Sequence, residues 1–134
     1  MRDRLLYLDS SAIVKLVANE TETEALFDFL AHWQEPISSV IARIEVLGAL
    51  RRAQSGRREY RRGEEVLERI ALIRLDEHIV SVAAELDPPH LRALDAIHLA
   101  TALSVKQDLG GIVCYDNRLA RAAASLGLRI WRPH

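Results

Sequence analysis

Four acidic residues stand among apolar neighbours rather than in solvated stretches: Asp9, Glu45, Asp95 and Asp116. Asp9 ends the run Leu5-Leu6-Tyr7-Leu8, and Asp116 ends Ile112-Val113-Cys114-Tyr115. Glu45 interrupts the apolar segment from Val40 to Leu47, and Asp95 opens Asp95-Ala96-Ile97-His98-Leu99-Ala100. Carboxylates are seldom buried without a partner. Several brought together repel, and one takes up a proton unless a cation neutralises the group. An oxygen-only donor set suits Mg²⁺ or Mn²⁺ better than zinc. Such ions activate water and offset charge developing on a phosphate, so the set points to phosphodiester chemistry. Each acid also has a plain structural reading. An Asp directly after a strand is a preferred helix N-cap, which covers Asp9 and Asp116. Asp95 fits a first-turn partner of a helix dipole, and Glu45 fits a solvated helix position.

The elements that must position these acids follow from periodicity. Leu5 to Leu8 is a continuous apolar run, as in a buried parallel strand, and Ser10-Ser11 starts a helix through Ala12, Ile13, Leu16 and Val17. Thr21-Glu22-Thr23-Glu24 reads as a capping box opening a second helix. Pro36 to Ser39 reads as a brief strand before a helix carrying Ile41, Ile44, Leu47 and Leu50. Gly56 and Gly63 bracket a charged stretch that leads into a helix from Glu64 to about Ala71, and Ile73-Arg74-Leu75 is a third strand. Glu77 to Leu86 is helical and stops before Pro88-Pro89; Leu91 to about Val105 is a long amphipathic helix broken by Gly110-Gly111. Gly111 to Tyr115 is the clearest strand, Asn117 to Leu126 a helix ended by Gly127, and Leu128 to Trp131 a last strand. Alternating strands and helices predict an α/β domain spanning residues 1–134, with a mostly parallel sheet of about five strands and helices on both faces. In such sheets function gathers beyond the C-terminal strand ends, where all four acids fall.

The bulk numbers narrow the class. A chain of 134 residues with 49% hydrophobic and 28% charged residues is globular. A net charge of −1 gives no overall drive toward nucleic acid, so any such binding needs a local patch. The single cysteine, Cys114, excludes an internal disulfide and a cysteine-based zinc cluster. No secretory h-region precedes Asp9, and no uncharged run approaches a bilayer span, so a cytoplasmic protein without membrane contact is expected.

The ordered set Leu8-Asp9-Ser10-Ser11-Ala12, Glu45, Leu94-Asp95-Ala96-Ile97-His98-Leu99-Ala100-Thr101-Ala102 and Tyr115-Asp116-Asn117-Arg118-Leu119 resembles the PIN-domain nucleases. It is most similar to their VapC toxin branch in bacterial type II toxin–antitoxin pairs, over essentially the whole chain. The resemblance implies a PIN-like fold and a Mg²⁺-dependent endoribonuclease, with Mn²⁺ as substitute. It implies that Asp9, Glu45, Asp95 and Asp116 are the catalytic, metal-holding acids and that hydrolysis leaves a 5′-phosphate and a 3′-hydroxyl. It further implies that Ser10 or Ser11 supports the first acid, that the chain pairs as a homodimer, and that a VapB-like antitoxin blocks the site. Many members carry Thr or Ser where this chain has Cys114, and a thiol is a weak donor, which puts support of Asp116 from that position in doubt. The alternative within the fold is a non-catalytic RNA- or protein-binding module. Haloacid-dehalogenase-type phosphatases need a second Asp where Ser11 stands, and nucleotide-binding folds need a glycine-rich loop that is absent.

Around the acids, Asn117 either reaches a metal-bound water or caps its helix. Arg118 is the preferred phosphate contact, though it could pair with a carboxylate. Arg51, Arg52, Arg57, Arg58, Arg61 and Arg62 form a basic cluster between helices, read either as a solvated charged face or as an RNA phosphate track, with Tyr60 placed to stack on a base. His98 lies on the Asp95 face of its helix and reads as a packed structural histidine, because magnesium prefers oxygen. Cys114 reads as a small buried hydrophobe, and Trp33 and Trp131 as closing the core or an interface.

Overall fold

The computed structural model describes residues 2–134. Its order is β1 (Leu5–Leu8), α1 (Ser10–Val17), α2 (Thr23–Leu30), β2 (Glu35–Ser39), α3 (Ile41–Arg52), α4 (Arg57–Glu68), β3 (Ala71–Ile73), α5 (Glu77–Glu85), α6 (Ala93–Leu103), β4 (Leu109–Val113), α7 (Asn117–Ser125) and β5 (Ile130–Trp131). The five strands form one sheet in the order β3-β2-β1-β4-β5, and every pairing is parallel.

All four residues of β1 are buried, which is why the strand reads as an unbroken apolar run. Strand alternation sends Leu6 and Leu8 to one face, where they pack with Ala12, Ile13, Val46, Leu50 and Leu67 of α1, α3 and α4. Leu5 and Tyr7 go to the other face, with Leu99, Ala102, Leu119 and Ala123 of α6 and α7. Each of these large side chains contributes about 1.5–3 kcal/mol by leaving water. The chain runs outward from β1 through β2 to β3 and then returns to place β4 on the other side of β1. The crevice beyond the C-terminal ends of β1 and β4 is therefore the topological switch point of the sheet.

Four local expectations are corrected. The expected Thr21-Glu22-Thr23-Glu24 capping box does not form: the N-cap of α2 is Glu22, without a side-chain cap bond, and the Thr23 hydroxyl accepts from the Glu20 amide (2.9 Å) and donates to the Lys15 and Ala18 carbonyls (2.7 and 2.9 Å). It thus closes the C-terminus of α1, while Glu22 pairs with Lys15 at 2.8 Å. The charged stretch from Arg57 to Arg62 does not lie between helices but forms the first two turns of α4, because Gly63 lies buried inside the helix, where a Cβ would stand 2.7 Å from Leu50 Cδ1. The third strand falls two residues early, at Ala71–Ile73. Gly110 and Gly111 do not break the chain; they belong to β4, at a register shift between Leu5 and Leu6 of β1. A side chain on Gly110 would collide with the Trp33 ring, and Gly111 has φ +143° with Trp131 Nε1 2.5 Å from where its Cβ would be. Gly127 behaves as expected, with φ +83°. Its amide donates to Ala124 O (3.0 Å) and that of Leu128 to Ala123 O (3.1 Å), closing α7 in a Schellman motif.

Candidate active site

Asp9 is the residue after β1 and the N-cap of α1. It is only 3% exposed. Its carboxylate accepts from the Ala12 amide (2.9 Å), from Ser11 Oγ at both oxygens (2.7 and 2.9 Å) and from Cys114 Sγ at Oδ2 (3.1 Å). Burial raises its pKa above the ordinary Asp value, and the Ser11, Ala12 and Cys114 donors oppose that rise. Ser11 is itself anchored, accepting from the Tyr115 amide at 3.1 Å. This ties the end of β4 to the first acid.

Glu45 sits on the second turn of α3 and is held by groups from two other elements, α1 and α6. Ser10 Oγ donates to Oε1 at 2.6 Å, and His98 Nε2 lies 2.6 Å from the same oxygen. His98, on α6, is buried, and its Nδ1 is 2.7 Å from the Tyr7 hydroxyl of β1. A carboxylate only accepts, so Nε2 carries the proton; in a neutral ring Nδ1 is then the acceptor for Tyr7. Both bonds fall on Oε1 and leave Oε2 without a protein donor. Burial pushes Glu45 upward, but the His98 and Ser10 hydrogen bonds outweigh it and hold the carboxyl below its usual range. Burial pushes the Tyr7 hydroxyl strongly upward, so it remains neutral.

Asp95 lies in the first turn of α6, and Asp116 is the N-cap of α7 directly beyond β4. Asp116 is exposed, and its Oδ1 accepts from the Arg118 and Leu119 amides at 2.8 and 3.3 Å. Asp95 is raised above the ordinary Asp value by burial first, then by the negative charges of Asp116 and, more weakly, Glu45; His98 and Arg92 pull the other way. The acids therefore share one electrostatic neighbourhood, as their places at strand ends and helix starts demand. Among the described residues, none ion-pairs with a lysine or arginine.

The remaining expectations divide. Ser11 supports Asp9, whereas Ser10 serves Glu45. Cys114 is buried as expected, but its thiol meets Asp9 and the Asp116 carbonyl (3.2 Å), not the Asp116 carboxylate. Burial and the neighbouring Asp9 charge raise the thiol well above its ordinary value. Asn117 neither caps α7 nor touches an acid: Asp116 takes the cap, and Asn117 Oδ1 accepts from Arg132 Nη1 at 2.6 Å. Arg118 is exposed beside Asp116 and pairs with none of the carboxylates. Tyr60 packs half-buried against the core and is no free stacking platform. Trp33 and Trp131 form an aromatic cluster with Phe29, at centroid separations of 5.2–6.2 Å.

Two groups escape a reading of sequence alone: Tyr7, and the bond of His98 to Glu45. The available signal is the register of β1. Tyr7 stands two residues before Asp9 and so shares its face of the strand, the face that α6 covers.

Among the described residues, no three His, Cys, Asp or Glu side chains already converge as ligands of one ion. The donor chemistry nevertheless fits a hard divalent cation: four carboxylates, two of them facing outward, with mutual repulsion left standing on Asp95. Protein comparisons agree with this architecture. A PIN domain family model matches residues 6–125. Ribonuclease VapC46 of Mycobacterium tuberculosis is 42% identical over 128 residues, which cover 96% of this chain and 97% of that protein. The fold is shared with VapC20 of M. tuberculosis, a sarcin-ricin loop cleaving toxin (TM-score 0.74, 15% identity, 96% of this chain and 99% of that one). It is shared too with VapBC2 of Rickettsia felis, solved on a DNA fragment from its promoter (TM-score 0.74, 12% identity, 97% and 99%). With a family model over most of its length and a relative this similar across nearly all of it, the chain belongs to the PIN-domain family, in its VapC branch.

Proposed function

We propose that this protein is a divalent-cation-dependent endoribonuclease and the toxin of a type II toxin–antitoxin pair. The observation that carries the reading is the electrostatic state of Asp95, lifted by burial and by Asp116 and Glu45 at a sheet edge where no lysine or arginine pairs with the acids. Repulsion left unanswered by the protein is what a cation site requires. Asp9, Asp95, Asp116 and Glu45 would hold Mg²⁺, with Mn²⁺ as substitute. When bound, the ion supplies Lewis acidity and positive charge for water and phosphate.

The chain's own residues do the rest. Ser11 and Cys114 hold the Asp9 carboxyl fixed in its buried place and oppose the upward push of burial. His98 and Ser10 immobilise Oε1 of Glu45, so that Oε2 can take the proton of an attacking water. The water oxygen joins phosphorus, the P–O3′ bond breaks, and the products carry a 5′-phosphate and a 3′-hydroxyl. Arg118, exposed beside Asp116, and Arg51 and Arg52 at the end of α3 would meet RNA phosphates. Asn117, through Arg132, steadies the start of α7 behind Asp116.

Relatives named as ribonucleases and structural neighbours solved as toxin–antitoxin assemblies support a VapB-like antitoxin as partner. A second copy of the chain would cover the exposed apolar Ile44, Leu75, Val80 and Leu94. No helix among the described residues is long and apolar enough to cross a membrane, in keeping with action on cytoplasmic RNA. The test is to map RNA ends after brief exposure to purified wild type and Asp9→Asn, each with Mg²⁺ and with chelator. The expected result is cleavage by wild type with Mg²⁺ alone, leaving 5′-phosphates. Robust cleavage by clean Asp95→Ala protein would sink the reading.

A further inference from the structure

The first two turns of α4 carry Arg57, Arg58, Arg61 and Arg62, all exposed, and the later turns carry Glu64, Glu65 and Glu68. This order is the reverse of what a helix prefers, since its N-terminus is the positive end of the macrodipole and its C-terminus the negative end. Arg57 and Arg61, and likewise Arg58 and Arg62, are also i,i+4 like-charge pairs. Neither Glu59 in the first turn nor the following glutamates repair the arrangement: among the described residues no arginine of α4 takes part in an ion pair, and their side-chain bond is a long one, 3.4 Å, from Arg62 Nη2 to Leu16 O. The helix thus bears an arginine face that costs local stability and has no internal partner.

Its position supplies the reason. α4 packs on α1 and α3, and its arginine end meets their C-terminal halves: Arg62 reaches Leu16 O and a Cβ on Gly63 would touch Leu50 and Val17, ~10 Å of helix axis from Asp9. The face is continued toward the site by Arg52. Glu45, Gly48 and Arg52 lie on one stripe of α3. A methyl group built on Gly48 would stand 3.2 Å from Arg52 Nη1, so the guanidinium lies back over the bare glycine backbone. From Gly48 to Glu45 is about one helical turn, ~5 Å of axis. The bare glycine at 48 leaves the guanidinium room to lie on the Glu45 side of Arg52.

We infer that Arg52, Arg57, Arg58 and Arg61 form a phosphate track that docks single-stranded RNA on α4 and leads it over Gly48 into the acidic edge. The inference rests on the ribonuclease reading and adds where the substrate lies. Arginine suits the task because its planar fork grips phosphate oxygens in pairs. The face carries positive charge that a polyphosphate complements, and the net charge of −1 leaves such a local patch as the route to RNA.

Binding of a fluorescein-labelled single-stranded RNA, followed by anisotropy with divalent ions chelated, tests it without any cleavage. Arg57→Gln/Arg58→Gln/Arg61→Gln should bind at least about tenfold more weakly at ~0.1 M salt, and its log Kd against log salt slope should fall by about 2, three phosphates at roughly 0.7 each. Its Tm should equal or exceed that of wild type, because the dipole conflict is relieved. Arg2→Gln/Arg4→Gln/Lys106→Gln, which removes the same charge from the opposite edge of the sheet, should bind like wild type. Gly48→Val, which fills the space under Arg52, should weaken binding as well. Wild-type affinity in the folded α4 triple variant overturns the track. So does undiminished RNA binding with lost binding of poly-L-glutamate, which would assign the face to an acidic polypeptide. Failure of the wild type itself to bind RNA would instead remove the ribonuclease reading.

Discussion

The four acids form two unlike pairs. Asp9 and Glu45 are wired into the protein: between them they accept from Ser10, Ser11, Cys114, His98 and the Ala12 amide. Asp95 and Asp116 are left open. Asp116 has only backbone donors, and Asp95 meets the charges of its neighbours. The fold has tied the first pair down with side-chain donors and has given the second pair none. Rigid acids orient, and unsatisfied acids recruit; a cation site needs both.

The sharpest way to break this division is on the open side. Asp95→Asn removes a carboxylate that no hydrogen bond replaces. Cleavage should fall on the order of 10³-fold, beyond the roughly 10–100-fold typical of losing an outer partner of a metal ligand. Calorimetric titration should show weakened Mn²⁺ binding in parallel. If cleavage falls while Mn²⁺ binding is unchanged, Asp95 is not a metal-holding acid.

On the wired side the expected effect is smaller. His98→Leu preserves bulk but abandons Glu45 Oε1, and kcat should fall ~10–100-fold with KM little altered. His98→Gln keeps an N–H donor for Glu45 and should recover much of that loss. Equal losses in the two variants would reduce His98 to a packing residue. The buried Nε2 proton of His98 gives a second readout by NMR: its resonance should move when Glu45→Gln removes the charge and persist in metal-free protein.

Cys114 is where the wired pair is weakest. Cys114→Ala deletes one soft donor from Asp9, which keeps Ser11 and the Ala12 amide. Activity should change by no more than about fivefold, and stability by ~1 kcal/mol through the small cavity. Cys114→Ser offers a stronger donor and should match or exceed wild-type activity in the same cleavage assay. A collapse of activity in Cys114→Ser would mean that Asp9 depends on the thiol itself.

Much of this architecture was legible in the chain because its signals are short-range. A strand buried on both faces is a continuous apolar run, so β1 is visible directly, and an Asp at a strand end marks both a cap and a possible ligand. The acids could be placed on one edge because a parallel sheet forces every strand end to the same side. The failures were signals that tertiary packing redirects. Thr21 to Glu24 looks like a capping box, but its Thr23 serves the preceding helix; Gly63 and Gly110-Gly111 look like breaks but make room for Leu50, Trp33 and Trp131. The roles of Tyr7 and His98 were hidden for the same reason, since residues 91 positions apart meet through sheet register and helix placement.

The smallest effect expected concerns stability, and its sign separates Asp95 from Glu45. Asp95 titrates in the folded protein above its ordinary value of 3.8. The folded state therefore holds a proton that the unfolded chain has released, and stability from this group is full below that value and is lost as pH rises through the raised one. Asp95→Asn should then raise the Tm of metal-free protein by a few degrees at pH 7, with the gain shrinking toward pH 4. Glu45 is held below its ordinary value of 4.5, so its contribution is present above that value and is lost as pH falls through the lowered one. Glu45→Gln should accordingly lower the Tm at pH 7 and cost less on acidification. Thermal melts of both variants between pH 4 and pH 7, without divalent ions, read the two slopes directly. Variants that move Tm in the same direction would show that the His98 and Ser10 hydrogen bonds do not set Glu45 apart from Asp95.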